Sequence, residues 1–148
     1  MEKPFVLLAD DNEATCTLLT ALLQGDFIVH VANDGREAIE RLKGRQYAAI
    51  LLDLLMPFVD GYAVLDYLRD ERPDLLPHTL VVTASLGTRD MQKVSAFQVG
   101  GVIAKPFEVD VLLGAVRRCA GISGSSMRGG PLISGGMLLL LAEVLKRV

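Results

Sequence analysis

Five short apolar runs punctuate the chain: FVLLA at 5–9, FIVHVA at 27–32, YAAILLD at 47–53, TLVVTA at 79–84 and GVIA at 101–104. Most are continuous rather than alternating. A strand with one wet face would alternate at period two, so continuity predicts strands covered on both faces, as in a parallel sheet. Between the runs the period changes to that of a helix. Residues 13–24 put Leu18, Leu19, Leu22 and Leu23 on one stripe, and residues 35–43 do the same with Ala38, Ile39 and Leu42. Residues 60–70 give Tyr62, Val64, Leu65 and Leu68; residues 88–99 give Met91, Val94, Ala96 and Phe97. Residues 107–119 give Val109, Leu112, Leu113 and Val116. Each set has the three-to-four spacing of an amphipathic helix. Strands alternating with helices predict an α/β fold: a five-stranded parallel sheet doubly wound with five helices through right-handed crossovers.

The pattern stops after Cys119. Residues 120–136, AGISGSSMRGGPLISGG, are rich in glycine and serine and predict a flexible linker. Residues 137–148, MLLLLAEVLKRV, predict a short apolar helix. Alone in water a helix of that length is marginal, so it is expected to pack on something. The expected organisation is a domain at 1–119, a linker at 120–136 and a C-terminal helix at 137–148.

Composition narrows the class. The 148 residues suffice for one domain with a real core. Hydrophobic residues make up 51% but aromatics only 5%, with no Trp, which fits an aliphatic core and not a disordered chain. A net charge of -3 argues against direct nucleic-acid binding. The two cysteines, Cys16 and Cys119, are far apart and form no CxxC pair, so a reduced, cytoplasmic protein is expected. The first apolar run is too short for a signal peptide, and no segment has the roughly 18 apolar residues of a membrane span.

Chemistry gathers at the strand ends. In an open parallel sheet the functional crevice lies outside the carboxyl ends of the strands. The first strand ends in Asp10-Asp11, the third in Asp53, the fourth in Thr83-Ala84, and the fifth runs into Lys105-Pro106. Topology alone therefore brings three carboxylates, a hydroxyl and an amine to one edge. Crowded carboxylates repel, and oxygen-only ligands favour Mg²⁺ or Mn²⁺. An ammonium and a hydroxyl suit the oxygens of a phosphoryl group, which makes Asp53 a candidate nucleophile. Taken singly, each residue has a plainer use. Asp53 could turn the chain, Asp10, Asp11 and Asn12 could cap a helix, with Asn12 the better cap, and Lys105 could be a solvated loop residue. His30 and His78 are expected in a strand and a loop, outside any site.

The motifs LLADDN, LLDLLMPFVDG, VVTAS and IAKPF, in that order, resemble the receiver domain of bacterial two-component response regulators, over about residues 4 to 119. That resemblance implies a flavodoxin-like sheet of order 2-1-3-4-5. It implies Asp53 as the phospho-acceptor, with Thr83 and Lys105 contacting the phosphoryl group. It implies Mg²⁺ held by Asp11 and Asp53, by Asp10 through water, and by the backbone carbonyl of Leu55, and a cis peptide before Pro106. Expected partners are a sensor histidine kinase or phosphotransfer protein, and a downstream protein at the face formed by 88–119. Homodimerisation through that face is left open; nucleic acid and membrane are not expected partners.

Two features depart from the family. An aromatic switch residue often stands three positions before the conserved lysine, and here that position is Val102. A weak or unconventional switch is expected, its readout carried by packing or by Phe107. Leu55, two residues after Asp53, cannot orient an attacking water, so slow self-dephosphorylation is expected. Two other readings compete with the signalling switch. One is an interaction-only domain that is never phosphorylated. The other is an aspartyl-phosphate hydrolase, which would need a D-x-D arrangement on the first strand that this chain lacks.

Overall fold

A computed structural model describes residues 2–122. Most of the predicted linker and all of the predicted helix at 137–148 lie outside the described residues. The elements alternate as the apolar pattern predicts: β1 (Phe5–Ala9), α1 (Glu13–Leu23), β2 (Ile28–Ala32), α2 (Gly35–Gly44), β3 (Ala49–Leu52), α3 (Gly61–Glu71), β4 (Thr79–Thr83), α4 (Thr88–Ser95), β5 (Gly101–Ala104) and α5 (Val109–Ala120). The five strands form one sheet in the order β2-β1-β3-β4-β5. Every pairing is parallel, with Ala9 level with Leu52 and Thr83 level with Ala104.

The sheet divides the core in two, because successive side chains of a strand point to opposite faces. Val6, Leu8, Leu51, Leu80 and Val82 face α1 and α5 and pack on Leu18, Leu19, Leu22, Leu112 and Val116. Leu7, Ala9, Ile50, Leu52 and Val81 face the other way and pack on Leu42, Val64, Leu65, Leu68 and Val94. The three inner strands are wrapped on both faces, as continuous apolar runs require. The edge strands are not: β2 and β5 are largely half-buried, and Ile28 is exposed. Among the described residues their outer side carries no further strand, so the expectation of full burial fails there.

Local chemistry sets the helix starts. Asn12, Asp34 and Asp60 are N-caps whose side-chain oxygens accept the amides of Thr15, Glu37 and Ala63 at 2.9, 2.8 and 3.0 Å. Gly121, at φ 77°, closes α5 in the left-handed region where glycine carries no Cβ penalty. One helix is shorter than its pattern predicts. The expected helix at 88–99 ends at Ser95, and Gln98 turns the chain at φ 56°. Of its predicted stripe only Val94 is fully buried, while Met91 is 40% exposed. A 3-10 turn at Pro73–His78, which apolar spacing does not predict, joins α3 to β4.

Candidate functional site

Parallel pairing delivers the acids. Asp10 follows β1 and donates its amide to Ala32; Asp53 follows β3 and donates its amide to the Ala9 carbonyl at 2.9 Å. Lys105 follows β5, tied by its amide to the Thr83 carbonyl at 2.9 Å. Three side chains from distant parts of the sequence thus meet at one sheet edge.

The Lys105 ammonium donates to Asp10 Oδ2 at 2.7 Å and to Asp53 Oδ2 at 3.0 Å. The lysine side chain is 6% exposed in this bridge. The other carboxylate oxygens are held locally: Asp10 Oδ1 accepts the Asn12 amide at 2.8 Å, and Asp53 Oδ1 accepts the Leu55 amide at 3.1 Å. Asp11 is exposed beside them, and Asp10, Asp11 and Asp53 each offer an oxygen within 4.8 Å of the others.

Three acids around one ammonium leave the pocket negative. Burial pushes the Asp10 carboxyl above its usual range, against the pull of Lys105. Burial works to lower the Lys105 ammonium too, but Asp10 and Asp53 outweigh it and hold its proton more tightly than usual. The donor set is all oxygen, close-spaced and open to solvent at Asp11. That fits a hard divalent cation, Mg²⁺ or Mn²⁺, which would neutralise the excess charge.

Thr83 ends β4 fully buried, and its Oγ1 accepts the Ser85 amide at 3.2 Å. The peptide bond between Lys105 and Pro106 is cis, as the resemblance implies. Phe107, next in line, is buried among the α1 and α5 contacts. Val102 is half-buried against the opposite half of the core. Leu55 points an apolar, 56% exposed side chain from the loop after Asp53. Gly61 lets that loop close: its amide donates to the Leu54 carbonyl at 3.0 Å, and a Cβ there would stand 2.3 Å from the Asp53 carbonyl oxygen.

The histidines and Cys119 stay outside the site, while the Cys16 thiol donates to the Asp10 backbone carbonyl at 3.3 Å. His30 bonds the Tyr47 hydroxyl at 2.9 Å, and His78 bonds the Cys119 carbonyl at 2.5 Å. Both cysteines are buried and free, and burial, followed by the nearby Asp10, pushes the Cys16 thiol up to about 12. Three polar residues near the site form a network that the sequence pattern does not show. Tyr62 looks like a core residue of the α3 stripe, Ser85 ends the VVTAS motif and Asp90 belongs to no motif, yet the three are hydrogen-bonded together. A carboxylate at the third position of a short helix is the one sequence signal for this network.

Residues 6–117 match the response regulator receiver domain, and the chain belongs to that family of two-component signalling domains. It is 32% identical over 110 residues to the transcriptional regulatory protein ZraR of Escherichia coli O157:H7. The match takes in 72% of this chain and 24% of that protein, so the chain spans about a quarter of the relative's length. The fold superposes on the receiver domain of the sensor histidine kinase PA1611 of Pseudomonas aeruginosa PAO1 at a TM-score of 0.72 and 27% identity. The likeness covers 81% of this chain and 99% of that one, whose structure has a magnesium ion coordinated in the active-site cleft. The chemotaxis protein CheY4 of Vibrio cholerae matches at a TM-score of 0.71 and 25% identity, over 80% of this chain and 99% of that one. Among the described residues no helix is long and apolar enough to cross a membrane.

Proposed function

We propose that this receiver domain is a phosphorylation-dependent switch that accepts a phosphoryl group on Asp53. The observation carrying the proposal is the Lys105 ammonium held between Asp10 and Asp53, with Asp11 in reach of both. Asp10, Asp11, Asp53 and the Leu55 backbone carbonyl would hold Mg²⁺ or Mn²⁺, as the magnesium in the Pseudomonas relative supports. When bound, that cation supplies positive charge against the oxygens of the transferring group.

The protein's own residues do the rest. A carboxylate oxygen of Asp53 attacks the phosphorus of a phosphohistidine on a sensor histidine kinase or phosphotransfer protein. The new O–P bond forms as the N–P bond breaks, and the electron pair returns to the imidazole nitrogen. Asp53 becomes an acyl phosphate. Lys105 and the Thr83 hydroxyl then bind its oxygens. Release is hydrolysis: water attacks phosphorus and the carboxylate is restored. The domain assists only its own modification and acts on no external substrate.

The test is the intact mass of the protein after incubation with Mg²⁺ and acetyl phosphate, beside Asp53→Asn. Gain of one phosphoryl group by the parent and none by the variant is expected. Val102 in place of an aromatic favours a second reading, an interaction-only domain. Absence of phosphate on the parent while Mg²⁺ still binds would select it.

A further inference from the structure

Tyr62, Ser85 and Asp90 have no part in the transfer described above, yet they form a continuous polar link from α3 to the loop after β4. Asp90 is its centre, in the first turn of α4. Its Oδ2 accepts the Ser85 hydroxyl at 2.9 Å and the Gly87 amide at 3.4 Å. Its Oδ1 accepts the Tyr62 hydroxyl. The Lys93 ammonium stands over the Tyr62 ring, 5.2 Å from its centre.

Both ends of the link lie near the acid site. At one end the Ser85 amide donates to Thr83 Oγ1 at 3.2 Å. At the other, Tyr62 follows Gly61, which lies in close approach to the Asp53 backbone. The network therefore touches the site at Thr83, and its other end lies one residue along the chain from the glycine packed on Asp53. A hydroxyl has one proton and two lone pairs. With one lone pair of Thr83 occupied by the Ser85 amide, the hydroxyl proton remains free to turn toward an acceptor. Where Ser85 sits therefore decides where that proton can point.

We propose that Asp90 is a positioning residue for phosphoryl transfer: held by Tyr62, it fixes Ser85 and thereby aims the Thr83 hydroxyl at the group on Asp53. The effect on transfer rests on the function proposed above; the dependence of Thr83 on Asp90 does not. Pairing with Tyr62 and Ser85 also holds the Asp90 carboxyl below its usual range, so it stays an acceptor throughout the neutral range.

The test has two readouts on Asp90→Ala, Asp90→Asn and Tyr62→Phe. The first is the NMR position of the Thr83 methyl and Ser85 amide without phosphate. The second is the rate of phosphate uptake from acetyl phosphate with Mg²⁺. Asp90→Ala should move the Thr83 and Ser85 signals and slow uptake about fivefold, the worth of one misdirected hydrogen bond. Asp90→Asn keeps an acceptor oxygen and the helix cap, and should recover part of both effects. Tyr62→Phe keeps the Asp90 cap and should move the same signals in the same direction. Unmoved Thr83 signals in Asp90→Ala and Tyr62→Phe, or moved signals with uptake unchanged, would overturn the proposal. If the parent takes up no phosphate, the function fails, and the Thr83 signals alone decide whether Asp90 positions that residue.

Discussion

Lys105 joins a place in the fold's electrostatics to the chemistry proposed above. It is buried against two carboxylates, and removing one partner of a buried ion pair leaves the other charges uncompensated. Lys105→Met should lower stability in metal-free buffer by about 3 kcal/mol, read from urea unfolding. Asp53→Asn should do the opposite or nothing, since it removes one of three crowded acids and leaves Lys105 paired with Asp10. Tyr62 gives a pH-dependent counterpart. Burial first, and then the bond to Asp90, pushes its phenol up to about 12 from an ordinary 10.0. The folded state thus binds this proton more tightly than the unfolded chain does. The stability it contributes is whole below pH 10 and is lost as pH rises through about 12. In Tyr62→Phe that alkaline decline should shrink, measured by urea unfolding on either side of the window. At this scale the sequence is legible where topology fixes the position: Asp10, Asp53, Thr83 and Lys105 follow strand ends, and strand ends share an edge. Tyr62 and Asp90 are 28 residues apart on two helices, and no periodicity says that they touch.

Strands were legible from their apolar runs, at the half-buried edge as in the buried centre. β1 and β5 begin and end where the apolar runs do, and the other strands fall within theirs. The weak predictions fall where tertiary context overrides pattern. The stripe over 88–99 continues beyond Ser95, but Gln98 takes a left-handed conformation and the chain leaves the helix. The 3-10 turn at Pro73–His78, which holds both prolines, falls between two predicted elements and has no counterpart in the apolar pattern. The loop between β3 and α3 is the element on which the site most depends. Gly61→Ala would set a Cβ against the Asp53 carbonyl and the Leu54 Cα, at 2.3 and 2.6 Å. Both neighbours are backbone and cannot swing aside. A loss of about 2 kcal/mol is expected, as for an overpacked core, with the NMR signals of Asp53 and Leu55 displaced.

The described residues form a sheet between two apolar layers, with three acids gathered around one ammonium at one edge. A cation bound at that edge in the folded state alone stabilises by mass action. Mg²⁺ at about a hundred times its Kd should raise unfolding stability by about 2.7 kcal/mol. Asp11→Asn, an exposed change, should remove most of that gain and leave the metal-free stability nearly unaltered. A gain of equal size in the variant would show that the metal acts elsewhere.

The ammonium and the first acid of the site lie 95 residues apart in the chain. That distance has a temporal meaning. During synthesis Asp10 and Asp53 emerge long before Lys105, and β5, which carries the lysine into place, is the last strand of the described residues to be made. A chain cut short of that strand holds the acids without their counter-charge, and contacts so distant in sequence form late. On the function proposed above, competence to accept a phosphoryl group arrives only with the completed fold, and a chain cut before β5 should take up none.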